Sequence, residues 1–114
     1  MTARTNPLKL NPLQLRTLAI LQAIARTEGM AGPADENGAV PILHIPRPHG
    51  DHFHIGAAVV SSRDASGLGN PAVFGALERK GLVAASPEGR PMLTATGVGY
   101  ETGLGKGLLH GADH

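Results

Sequence analysis

A chain of 114 residues with 41% hydrophobic content is long enough for one domain and short for two of ordinary size. It contains no cysteine, which excludes a disulfide framework, a thiolate metal site and a cysteine nucleophile. A formal charge of +1 and 3% aromatic residues provide neither a strongly basic surface nor an aromatic platform for stacking single-stranded bases.

No apolar run approaches the roughly 20 residues of a membrane span, and the opening residues lack the hydrophobic block of a secretory signal. The expectation is a cytoplasmic protein with no membrane partner.

Residues 1–10 mix Thr, Arg, Asn, Pro and Lys with little periodicity and read as a flexible arm. Asn11 and Pro12 then supply a helix cap followed by a residue whose missing N–H does no harm in the first turn, opening a helix over 12–27. Leu13, Leu18, Leu21, Ile24 and Ala25 form its apolar face, and Gln14, Arg16, Gln22 and Arg26 its polar one. Residues 28–38 carry Gly, Pro, Asp and Asn and read as a loop.

Two short β-prone runs follow, 41–45 and 52–55, separated by a segment whose prolines and glycine cannot continue a strand. They predict a hairpin. Side-chain alternation places Leu43, Ile45, Phe53 and Ile55 toward the core and His44, His52 and His54 on the opposite side. Residues 56–65 read as a second helix and 66–69 as a turn.

The most informative stretch begins at Asn70. Asn70 and Pro71 repeat the cap device, Val73, Phe74 and Leu77 mark an apolar stripe at helical spacing, and Gly81 is placed to end the helix over 71–80 in a left-handed conformation. Residues 82–86 and 90–93 then form two antiparallel strands around a loop of Pro87, Glu88 and Gly89, which leaves Arg90 beside the hairpin tip. Thr94 can cap a last helix. Beyond it, Gly97, Gly99, Gly103, Gly105 and Gly107 each cost a helix about 1 kcal/mol relative to alanine, so 97–114 reads as a weakly ordered tail.

The run ALERKGLV at 76–83, followed by a hairpin and Leu93-Thr94, resembles the winged helix-turn-helix proteins, a large family of bacterial transcription regulators. The resemblance implies an α+β domain over 11–96, a winged helix-turn-helix core with an extra β-hairpin between the first and second helices. It also implies a duplex DNA partner, with the helix over 71–80 in the major groove and the wing on the backbone or minor groove. Carried over to this chain, the DNA-binding positions are Asn70, Ala72, Gly75 and Arg79, with Arg90 on the wing and Arg63 on the preceding helix.

Ala72 and Gly75 offer no hydrogen bond to a base edge, and direct readout normally relies on Arg, Lys, Asn or Gln. A winged-helix module that binds a protein partner, or a second copy of itself as a homodimer, therefore stands as the alternative. A third reading rests on imidazoles. His44, His52 and His54 on one hairpin face, with His49 or Asp51 from the loop, form a zinc- or nickel-type ligand set. No enzymatic role is expected: there is no nucleophile-elbow serine and no phosphate-cradling P-loop.

Overall fold

Asn11 opens the first helix, α1 (Pro12–Ala25), with a complete capping box. Its side chain accepts from the Gln14 N–H at 2.8 Å, and the Gln14 side chain accepts from the Asn11 N–H at 3.0 Å. The computed structural model describes residues 6–47, 50–56, 58–86, 89–104 and 110–111. The helix starts where the sequence places it and ends two residues earlier than expected. Its burial differs more. All eight residues from 17 to 24 are buried, so α1 is a central helix and not a surface one with a polar face.

Gln22 shows how a polar residue is accommodated there. Its amide nitrogen donates to the carbonyls of Gly97 and Tyr100 at 2.9 and 2.8 Å, so a group expected to face water instead fastens α1 to the C-terminal part of the domain. Leu18, Ile20, Leu21 and Ile24 are at most 1% exposed, and each contributes about 1.5–3 kcal/mol by the usual value of burying such a side chain.

The chain continues through β1 (Val40–Pro41), β2 (His52–Ile55), β3 (Ala58–Ser61), a 3-10 turn (Ser66–Gly69), α2 (Pro71–Arg79), β4 (Val83–Ala85), β5 (Pro91–Leu93), α3 (Ala95–Gly99) and β6 (His110–Gly111). The result is a mixed α+β domain with two small antiparallel sheets, ordered β1-β5-β4 and β2-β3-β6. Among the described residues no helix is long and apolar enough to cross a membrane.

The hairpin forms with a different partner from the one expected. β2 pairs with β3, in the register Phe53↔Val60 and Ile55↔Ala58, while β1 crosses to the edge of the other sheet and pairs Val40 with Leu93. Pro41 explains part of this, because a residue without an N–H is tolerated at a sheet edge. The parity of that run also shifts: Ile42 is 2% exposed and Leu43 is 46% exposed, the reverse of a strand that faces Leu43 and Ile45 inward.

Residues 56–65, expected to be helical, form β3 and a turn. Gly56 has φ of +59°, a conformation suited to a tight hairpin connection and closed to a continuing helix. Adjacent Val59 and Val60 favour a pleated surface, and Val60 is completely buried on the same face as Phe53 and Ile55. The helix propensity of the neighbouring alanines loses to this cross-strand packing. The turn after β3 is held by Ser61, whose hydroxyl donates to the Asp64 carboxylate and accepts from the Asp64 N–H.

The unit from Asn70 to Leu93 matches its expectation closely. Asn70 caps α2 by accepting from the Ala72 N–H at 3.0 Å. Gly81, at φ +79°, ends α2 in a Schellman arrangement, with Leu82 N–H to the Leu77 carbonyl and Gly81 N–H to the Glu78 carbonyl, both at 3.0 Å. Leu77 and Leu82 are both fully buried beneath it. β4 and β5 pair in the register Val83↔Leu93 and Ala85↔Pro91. Pro87 and Glu88 of the predicted loop lie outside the described residues, as do His49 and residues 105–109 and 112–114 of the expected tail.

Two glycines have roles beyond turns. A Cβ on Gly67 would collide with Thr17 Oγ1 of α1, and one on Gly97 would collide with the Leu82 carbonyl oxygen. Gly97 therefore lets α3 sit directly on the α2–β4 connection, with Thr94 capping the helix at the Gly97 N–H. Residues 6–10, expected to belong to a flexible arm, are also tied down. Leu10 is 4% exposed, Asn6 bonds both the N–H and the carbonyl of Leu10, and Lys80 donates to the Leu8 carbonyl at 2.8 Å.

Gly97→Ala should therefore cost about 1–3 kcal/mol, the usual cost of overpacking a filled site. Gly99→Ala, where a Cβ would meet nothing within 4 Å, should be neutral or stabilise by up to about 1 kcal/mol. Urea unfolding of the two variants checks the contrast; equal midpoints would remove the close-approach role of Gly97.

Candidate nucleic-acid interface and histidine face

α2 rises about 13 Å over its nine residues. Val73, Ala76 and Leu77 are buried, which leaves Ala72, Gly75 and Arg79 along the outward stripe at spacings of three and four. Ala72 and Arg79 are exposed and Gly75 is half-buried. The Arg79 guanidinium folds back along the helix, with Nη1 3.5 Å from where a Cβ on Gly75 would stand. A larger residue at 75 would push the cation outward.

Asn70 stands at the head of the same helix, but its side-chain oxygen is engaged by the Ala72 N–H. Its amide nitrogen makes no part of the cap. Arg90 is exposed at the start of the returning strand, where its N–H donates to Ser86 Oγ at 3.1 Å. Arg63 is exposed in the turn between β3 and the 3-10 turn. Among the described residues none of these three arginines is ion-paired; the Arg–carboxylate pair present joins Arg16 to Asp64 at 3.8 Å.

A groove of about 400 Å³ runs between α2 and the β4–β5 hairpin. Ile45, Leu68, Phe74, Val83 and Pro91 supply apolar walls, and among the described residues Glu78 is the charged one on its border. Sequence periodicity assigns Phe74 wholly to the core. Phe74 in fact packs against the core and is also half-exposed to this groove. No sequence signal marks the groove, because Ile45 and Pro91 come from segments far from α2 in the chain.

The histidines divide. His44 lies past β1 in a segment whose N–H bonds the Met30 carbonyl, and it is not part of the hairpin. His52 and His54 share the outer face of β2, opposite Phe53 and Ile55, and their Nε2 atoms are 3.1 Å apart with the rings nearly perpendicular. Asp51 Oδ1 lies 3.2 Å from His52 Nδ1. The hydrogen bond from His52, then Asp51's own backbone amide and the His52 charge, hold the Asp51 carboxyl below its ordinary value. Among the described residues no group of three or more His, Asp or Glu side chains is placed to hold a metal ion. The expected trio of His44, His52 and His54 is thus reduced to a pair.

Compared with family models, with curated proteins and with solved structures, the chain matches none of them.

Asn70 also yields a stability test. Asn70→Ala should cost about 1 kcal/mol through loss of the cap, while Asn70→Ser, an equally good cap, should stay within a few tenths. Thermal melts distinguish them; equal losses would mean that the amide makes contacts beyond the cap.

Proposed function

We propose that this chain is a winged helix-turn-helix-type domain that binds duplex DNA in the manner of a transcription regulator. The observation that carries the reading is the outward stripe of Ala72, Gly75 and Arg79 on a capped helix followed at once by a hairpin that presents Arg90. The 3-10 turn at Ser66–Gly69 stands where the first half of a helix-turn-helix would be, connected to α2 through Asn70 alone.

This reading implies a particular kind of binding. Small residues on the presented face let the α2 backbone approach the duplex but supply no side-chain donor for base edges, so phosphate contacts from Arg79, Arg90 and Arg63 dominate. Binding is then salt-sensitive and weakly sequence-selective. The domain works by positioning on the duplex and not by catalysis.

The groove supports a second reading, a winged-helix module for protein partners. Its apolar walls and Glu78 suit an apolar segment carrying a cation, and a carboxylate there opposes phosphate.

Fluorescence anisotropy with a labelled duplex across a salt series separates the two. Binding with a log–log salt slope that falls by about 0.9 for each of Arg79→Ala and Arg90→Ala supports the DNA reading. Glu78→Gln should then tighten binding. Absence of duplex binding at low salt would overturn the DNA reading in favour of the interaction module.

A further inference from the structure

Among the described residues the β4–β5 hairpin has an unpaired sheet edge beside the groove. In the sheet ordered β1-β5-β4, β4 is an outer strand. Hydrogen-bonded and non-bonded pairs alternate along an antiparallel ladder. Thr94 N–H donates to the Leu82 carbonyl and Ser86 N–H to the Arg90 carbonyl, so within β4 it is Ala84 that bonds β5, opposite Met92. Val83 and Ala85 therefore turn their N–H and C=O groups away from β5. Pro91, the residue paired with Ala85, has no N–H to offer it, and the Pro91 carbonyl accepts from Ile42 N–H at 3.0 Å. Ala85 is exposed, and β4 carries neither the charge nor the proline that commonly blunts an edge.

α2 sets side-chain chemistry along the same groove. Phe74 and Glu78 both line it, one helical turn apart and about 6 Å along the axis. At about 100° per residue, their face lies roughly 100° around α2 from the stripe of Ala72, Gly75 and Arg79. Residues i and i+2 of a strand share a face at a spacing of about 6.7 Å, close to that helical rise. An extended chain in the groove thus brings alternate side chains opposite Phe74 and opposite Glu78. Glu78 is exposed, and among the described residues it has no ion pair. We propose that the groove takes an extended segment of a partner protein, which adds as a strand to the free edge of β4. One of its apolar side chains packs on Phe74, and a Lys or Arg two residues away meets Glu78. Main-chain hydrogen bonds then supply affinity and the two alternate side chains supply selectivity. This strand addition deepens the protein-partner reading of the groove and rests on it.

Selection of a displayed library of random nonapeptides against the full chain tests it. Enriched sequences should carry an apolar residue and a Lys or Arg two positions apart. Selection against Glu78→Arg should replace that base with Asp or Glu; position 78 is exposed, and thermal melts check that the variant is folded. Fluorescence anisotropy with the strongest selected peptide then reads the backbone pairing. N-methylation of the alternate peptide amides that face β4 should weaken binding about tenfold, and methylation of the intervening amides should leave it within about twofold. No enrichment from the library overturns both the strand addition and the protein-partner reading. Enriched sequences with apolar residues at helical spacing, or equal losses from the two methylation sets, overturn the strand addition while the protein-partner reading stands.

Discussion

Residues 17–24 of α1 are buried without interruption, and a helix buried all round must be met on every side by another element. The 3-10 turn, α2, α3 and β5 meet it. Among the described residues none of the other helices exceeds nine residues, and none is long enough to be stable alone in water. They form because α1 gives their apolar residues somewhere to go. The short elements and the long helix are therefore one cooperative unit.

Close contact with a central helix limits what the neighbours can be. Gly67 and Gly97 remove side chains where the backbone must approach Thr17 and Leu82, and Gln22 donates to the carbonyls of Gly97 and Tyr100 at the end of α3. Glycine weakens a helix interior by about 1 kcal/mol, but here the loss is offset by packing that a Cβ would forbid. The same contacts aim the β4–β5 hairpin. Leu82 is at once the residue after the α2 cap, the floor beneath Gly97, and the acceptor for the Thr94 N–H, so the hairpin that carries Arg90 leaves the domain at an angle fixed by three elements.

The β2–β3 hairpin turns the period of a strand into two separate chemistries. Phe53, Ile55 and Val60 close the core from one side, while His52 and His54 occupy the other with Asp51 against the first ring. Because the apolar face is committed to the core, a one-residue slip would bury both imidazoles, so the register is strongly specified. The histidine pair is held in place by residues on the face away from it.

Local signals determined the parts of this protein whose geometry is set within a few residues. The Asn-Pro caps, the end of α2 at Gly81 and the β4–β5 pairing were legible because side-chain oxygen, missing N–H, positive φ and a short turn each act on adjacent residues. The outward stripe of Ala72, Gly75 and Arg79 followed from the same helical period. Tertiary structure alone decided which strands pair. Pro41 sent β1 to the edge of a sheet shared with β5, Gly56 and the two valines gave β2 its partner, and residues that favour a helix in isolation became strand and turn. It also separated His44 from His52 and His54, buried Gln22, and assembled the groove beside Glu78 from distant segments. Burial and cross-strand packing join residues far apart in the chain, and no local preference of either partner specifies that they will meet.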